Sequence, residues 1–237
     1  MLGVVKMEKN FIAMQDLIPT KNDTPYKRIL AIGDVHASFE KLISLWEKIS
    51  VTDKDFVIFL GDYFEGGNKN FKTLSWLMEK NLNENIKMLL GNIDEAFLGY
   101  FASLRPTTIE EAAFIKQIQD FIKNLPLYHK IKIGGRDYIF CHAGINPEKP
   151  LEKQDKDEFI WEQENFYASY NGDAVFIVGH KSPRKIMNYF LPQFSELDTL
   201  QPVRITHKNI LLLDTRAKDF NGYLSCVDIL TGEFWQS

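Results

Sequence analysis

Apolar residues in the first half of the chain fall into short blocks, each followed by a stretch of helical period. Arg28-Ile29-Leu30-Ala31-Ile32, Phe56-Val57-Ile58-Phe59-Leu60 and Ile86-Lys87-Met88-Leu89-Leu90 are aliphatic and aromatic runs, and each runs into a glycine. Runs of that kind, closed by glycine, read as buried strands entering tight turns. Phe39–Ile49 and Phe71–Asn81 follow the first two with helical patterning, and further helical patterns run from Asp94 to Leu104 and from Ile109 to Asn124. Each strand-plus-helix step takes about 30 residues, the length of a βαβ unit. Alternation of this kind predicts a mostly parallel sheet covered by helices.

The second half is patterned differently. Lys130–Ile133 and Tyr138–Cys141 flank Gly134-Gly135, a hairpin signal. A helix over about Lys156–Tyr170, a strand at Ala174–Val178 and two more strands at Ile210–Leu213 and Tyr223–Ile229 follow. These predict a second, more antiparallel sheet. The fold class expected is therefore α/β, a two-sheet β-sandwich flanked by helices on both sides. Residues 1–26 hold an ambiguous Phe11-Ile12-Ala13-Met14 and a turn-rich Thr20–Pro25, and read as an N-terminal arm. Residues 27–237 read as a single domain.

Composition narrows the class. A formal net charge of −4 and a pI near 5.8 argue against a non-specific nucleic-acid binder. Cys141 and Cys226 are too few for a disulfide framework, which points to a reducing cytoplasm. No stretch approaches a transmembrane span, and Met1–Lys6 lacks a secretory apolar segment.

The chemistry sits where the strands end. The first strand ends in Gly33-Asp34-Val35-His36, the second in Gly61-Asp62 and the third in Gly91-Asn92. The hairpin strand ends in His142 and the next in Gly179-His180. Asp34 and His36 are two apart, and on extended backbone their side chains would point the same way. Ligands of α/β sheets gather outside the carboxyl ends of strands. Any one of these pairs alone is more simply a turn or a buried histidine. Together they supply three imidazoles, two carboxylates and an amide, a set suited to a pair of borderline divalent ions such as Mn, Fe or Zn.

In order and type these blocks, with His142-Ala143-Gly144, Leu125-Pro126-Leu127 and Leu213-Asp214-Thr215, resemble the calcineurin-like metallophosphoesterases. The nearest branch is the phosphoprotein-phosphatase group, which includes bacterial serine/threonine phosphatases and symmetrical diadenosine tetraphosphate hydrolases. The resemblance covers about residues 28 to 232. It implies a two-sheet sandwich and two divalent metals, with manganese the leading candidate. Asp34, His36 and Asp62 would hold the first ion. Asp62 would bridge to the second, held also by Asn92, His142 and His180. The metals would share and acidify a water that attacks phosphorus in line. The expected substrate is a phosphorylated small molecule, a nucleotide or a phosphoprotein, with no nucleic-acid or membrane partner.

The chain also departs from the family pattern. Gly66 stands where an arginine would clamp phosphate, and Ile93 where a histidine would protonate the leaving group. Gln163 stands where a second arginine is expected, within Trp161-Glu162-Gln163. Glu65 would have oriented the missing histidine. Asp94 is a candidate replacement acid, and Arg216 and Arg184 are candidate phosphate ligands. Trp161 and Phe166 read as core residues of one helix. General acid–base help is worth ~10²–10⁴ in rate. Its loss weighs least on substrates with good leaving groups, so anhydrides, activated diesters and aryl phosphates are the expected substrates. A catalytically weak phosphatase-like module that binds a phosphorylated ligand or partner is the alternative.

Overall fold

The computed structural model describes residues 17–65, 70–190, 200–205 and 208–237. Phe11–Met14 and Gly66 lie outside these. Strands β1 (Arg28–Ile32), β2 (Asp55–Phe59) and β3 (Ile86–Met88) run parallel side by side, linked by helices α1 (Phe39–Ile49) and α2 (Asn70–Lys80). Helices α3 (Asn92–Ser103) and α4 (Ile109–Lys123) lead to the hairpin of β4 (Tyr128–Ile133) and β5 (Arg136–Cys141). Helices α5 (Lys156–Ile160) and α6 (Glu164–Ser169), strand β6 (Val175–Val178) and helix α7 (Pro183–Phe190) follow. Strands β7 (Val203–Arg204) and β8 (Ile210–Leu212) complete a second sheet of order β4-β5-β6-β8-β7. The last two strands, β9 (Ser225–Asp228) and β10 (Phe234–Gln236), return to the first sheet, whose order is β10-β9-β1-β2-β3.

Strand alternation explains why the sequence runs were apolar throughout. Ile29, Ala31, Ile58 and Leu60 face the second sheet, where they meet Phe140, Ile177, Leu211 and Leu213. Leu30, Ile32, Val57 and Phe59 face the other way and pack under the helices with Leu42 and Leu45 of α1. Each strand is thus buried on both faces, which a parallel sheet under helices requires. Each such side chain contributes roughly 1.5–3 kcal/mol by leaving water.

The expected two-sheet sandwich with flanking helices is the architecture observed, and α1 has the bounds read from the sequence. Three expectations change. The second sheet is mixed, because β5, β6 and β8 are mutually parallel. The strand predicted within Tyr223–Ile229 joins the first sheet, antiparallel to β1. The helix predicted over Lys156–Tyr170 is broken, because Trp161 adopts extended backbone (φ −117°, ψ 149°) between α5 and α6. Residues 17–26 lie on the sandwich. Leu17 is buried, its carbonyl accepts from the Tyr138 hydroxyl (2.6 Å), and Tyr26 packs on Phe56.

Candidate active site

Five strands deliver their C-terminal ends to one spot between the sheets. Asp34 and His36 follow β1, Asp62 follows β2 and Asn92 opens α3 just beyond β3. His142 follows β5 and His180 follows β6. His36, Asp62 and His180 all have left-handed backbone (φ +45°, +54° and +63°). Such conformations cost energy outside glycine and cluster at functional sites. Asp34 and His36 therefore converge through a tight turn, and not along an extended strand as their spacing suggested. Glycine is needed beside the site for close approach. A Cβ on Gly179 would lie 2.0 Å from Asp34 Oδ1, and one on Gly91 2.2 Å from Asp62 Oδ1.

The side chains form two triads, Asp34-His36-Asp62 and Asp62-His142-His180, with Asp62 common to both. His36 Nε2 lies 3.7 Å from Asp34 and 3.8 Å from the Asp62 Oδ2. His142 Nε2 lies 3.4 Å from Asp62 Oδ1 and 2.9 Å from the Asn92 side-chain oxygen. His180 Nδ1 lies 2.9 Å from that oxygen and 3.2 Å from His142 Nε2.

For two of the rings, the hydrogen bond on the far side fixes which nitrogen is bare. His142 Nδ1 is 2.9 Å from the Leu60 carbonyl, which can only accept, so Nδ1 carries the proton. His36 Nδ1 faces the Phe64 carbonyl (3.3 Å) and Glu65 Oε2 (3.2 Å) and carries its proton likewise. His180 Nε2 is buried with no hydrogen-bond partner, and the Glu162 Oε2 lies 3.5 Å from it. On the inner side, His180 Nδ1 faces the Asn92 side-chain oxygen and His142 Nε2. The lone pairs of His36 and His142, two carboxylates and the Asn92 amide oxygen then point inward beside the His180 ring. Such a cluster of acceptors is satisfied by cations. Burial pushes the pKa of all three histidines down, that of His180 to about 4, so the rings are neutral, as ligation requires. Burial and neighbouring carboxylates, chiefly Asp214 for Asp34 and Asp94 for Asp62, push the two aspartates well up. Each of the two triads could hold a divalent cation, with the Asn92 oxygen beside the second.

A cavity of about 210 Å³ opens onto these groups. Its walls include Ile93, Asp214 and four cations, Lys181, Lys185, Arg216 and Lys218. Among the candidates taken from the sequence, Arg216 lines this cavity, its guanidinium paired with Asp219. Arg184 lines a neighbouring cavity instead. Asp94 does not line it. Its carboxylate is fully buried and accepts from the N–H groups of Asp62 (2.8 Å), Tyr63 (2.7 Å) and Gly91 (2.9 Å). Burial raises its pKa to about 6 against these bonds. Glu65 Oε2 lies 3.2 Å from His36 Nδ1. Gln163 turns its amide to the Trp161 carbonyl (3.5 Å) and does not line the cavity. Phe166 is core, as expected, but Trp161 is 46% exposed, its ring edge-on to His180 at 6.0 Å.

Sequence reasoning missed Asp214, Lys185, Lys218 and Glu162. Asp214 ends β8 as the other acids end their strands, a signal that was available. Glu162 carried none, because it reaches His180 through the break between α5 and α6.

A two-sheet α/β sandwich with paired ligand triads at its strand ends defines the metallophosphoesterase class. The chain belongs to the calcineurin-like phosphoesterase family, whose model matches residues 27–208. A symmetrical bis(5'-nucleosyl)-tetraphosphatase of Escherichia coli O1:K1 is 30% identical over 129 residues, covering 51% of this chain and 44% of that protein. Its counterpart in Buchnera aphidicola subsp. Baizongia pistaciae is 31% identical over 127 residues, covering 49% and 43%. The chain spans less than half the length of these relatives. Among solved structures, a protein provisionally assigned as a diadenosine tetraphosphatase superposes with a TM-score of 0.65 at 20% identity, covering 93% of this chain and 96% of that one. A Saccharomyces cerevisiae protein serine/threonine phosphatase superposes with a TM-score of 0.50 at 16% identity, covering 88% and 76%. These two likenesses establish the fold.

Proposed function

We propose that the protein is a metal-dependent hydrolase of phosphate esters or phosphoanhydrides that favours good leaving groups, with nucleoside polyphosphates foremost. The observation that carries this reading is the pair of triads sharing Asp62, with the Asn92 side-chain oxygen beside two of the imidazoles. Two divalent ions bound there, manganese by preference and iron or zinc otherwise, would supply an activated water and neutralise phosphoryl charge. The protein's own part is to hold the phosphoryl group in the cavity between those ligands and the cationic wall of Lys181, Lys185, Arg216 and Lys218. Asp94 acts as a positioning residue, since three N–H bonds commit its oxygens to the backbone that presents Asp62.

Substrate preference follows from Ile93. It lines the cavity, and its side chain can neither give nor take a proton. Ile93 therefore offers no proton to a leaving oxygen, which favours substrates whose leaving group needs none. The 30–31% identity to symmetrical bis(5'-nucleosyl)-tetraphosphatases supports an anhydride, whose leaving phosphate needs no proton. The buried thiols Cys141 and Cys226 agree with a reducing, cytoplasmic setting. The same isoleucine favours a second reading, a module that binds a phosphorylated ligand and turns it over negligibly.

The test is hydrolysis of a nitrophenyl monoester, a bis-nitrophenyl diester and a dinucleoside tetraphosphate by manganese-loaded protein, with metal content measured alongside. Turnover steepest for the best leaving group, and abolished in Asp62→Asn, is the expected result. Two bound metals without turnover on any of the three would replace the hydrolase with the binding module.

A further inference from the structure

The loop after β8 is built rigidly and displays an aromatic ring to solvent. Phe220 is 99% exposed. Its loop is nevertheless held at several points. The Lys41 ammonium, from α1, donates to the carbonyls of Ala217 (2.7 Å), Asp219 (2.8 Å) and Gly222 (2.6 Å). The Ser38 hydroxyl donates to the Ala217 carbonyl as well (2.9 Å). Within the loop the N–H of Asp219 donates to the Arg216 carbonyl (2.9 Å) and that of Gly222 to the Asp219 carbonyl (3.1 Å). A Cβ on Gly222 would fall 1.7 Å from the Arg216 oxygen, so this closure requires glycine. A flexible tip can carry a phenyl ring by chance. A loop this constrained fixes the backbone from which the ring is presented.

That place adjoins the metal ligands. Phe220 lines a cavity of about 440 Å³ together with Arg184, Leu200 and Asn221. Arg216 and Asp219 line this cavity and the 210 Å³ cavity beside Asp62 and His180 alike, so the two adjoin at one ion pair. Arg216 is itself fixed. Its backbone is left-handed (φ +64°) and its N–H donates to Asp214 (2.8 Å). The smaller chamber suits phosphoryl groups, with a guanidinium at its exit. The larger suits a bulkier group, and its wall offers an aromatic face and amide and carboxylate partners for ring nitrogens and hydroxyls.

From this we infer that the second cavity is a nucleoside subsite. A nucleoside phosphate would place its phosphoryl group over the metal ligands, run its phosphate chain past Arg216 and stack its base on Phe220. The inference rests on the hydrolase reading of the neighbouring site. Base–aromatic stacking tolerates any base, so the subsite selects for a nucleobase without choosing one.

Inorganic pyrophosphate and adenosine 5'-diphosphate separate the two readings, since both carry a diphosphate and only one carries a nucleoside. Their dissociation constants would be measured calorimetrically on the metal-loaded protein and on Phe220→Ala and Phe220→Tyr. The expected result is tighter binding of the nucleotide by the unmodified protein and a loss of about tenfold for the nucleotide in Phe220→Ala. Pyrophosphate should be unaffected, and Phe220→Tyr, which keeps the ring, should bind as the unmodified protein does. Equal affinity of the unmodified protein for both probes, or equal weakening of both in Phe220→Ala, would overturn the subsite and leave the hydrolase reading standing. Failure of the unmodified protein to bind either would remove that reading and the subsite with it.

Discussion

Glu162, a residue outside the expected ligand set, stands behind one of its members. Its carboxylate lies 3.5 Å from His180 Nε2, close enough to accept a hydrogen bond after a small adjustment, and pairs with Lys181, a residue of the cavity wall. A partner on the outer nitrogen selects the tautomer whose inner nitrogen can bind a metal, and loss of such partners typically costs 10–100-fold in metal affinity. Glu162→Ala should therefore weaken the ion held by Asn92, His142 and His180 by roughly that factor. Glu162→Gln, which still offers an acceptor, should recover part of it. Calorimetric titration with manganese would show this, and an unchanged affinity in Glu162→Ala would refute the role. The six inward groups were legible in the sequence because each follows a strand and five of the six directly or closely follow glycine. Glu162 was not, because its contact depends on where two short helices part.

Among the elements, the start of the first sheet hangs on one ion pair. Arg28 opens β1 and Asp55 opens β2. The guanidinium donates to both Asp55 oxygens, with Nε at 2.9 Å and Nη2 at 2.5 Å, and to the carbonyls of Ile49 (2.9 Å) and Ser50 (3.2 Å) at the end of α1. Burial raises the Asp55 pKa, but Arg28 and the Thr52 N–H and hydroxyl outweigh it, so it lies below the ordinary carboxylate value. The unfolded chain then binds the proton more readily than the folded one. The pair's stabilisation is complete above the ordinary value and is lost as pH falls through the depressed one. Asp55→Asn should cost about 3 kcal/mol at neutral pH, the usual scale for removing one partner of a buried pair. Urea titrations at neutral and acid pH should show the gap to the unmodified protein closing on acidification. A gap independent of pH would mean that shape, and not charge, is at work. Neither this pair nor α7 could be read beforehand. The apolar runs of β1 and β2 were plain, but a charged residue at a strand's first position looks the same whether solvated or paired.

For the molecule as a whole, the site joins its two sheets. Asp34, Asp62 and Asn92 come from the first, His142 and His180 from the second, and the His180 N–H crosses to Asp34 (3.1 Å). Ions bound there would hold the layers together and stabilise the fold by mass action, about 2.7 kcal/mol at a hundredfold excess over the dissociation constant. A chelator should lower the melting temperature of metal-loaded protein, and Asp62→Asn should melt at one temperature with or without it. The class of fold was visible in the alternation of runs. The membership of β9 and β10 was not, because pairing across the chain leaves no local pattern. That pairing also bears on how the protein is made. The Ile29 N–H donates to Asp228 (3.2 Å), and β9 lies beside β1, so a strand from near the beginning of the chain completes its pairing only with one from near the end. At translation rates of roughly 5–20 residues per second, one side of β1 stays open for about 10–40 s on the ribosome. Nascent chains stalled before β9 would expose an apolar, unpaired strand edge of the kind that aggregates, and a chaperone that shields such edges would be needed longest by the strand that is made first.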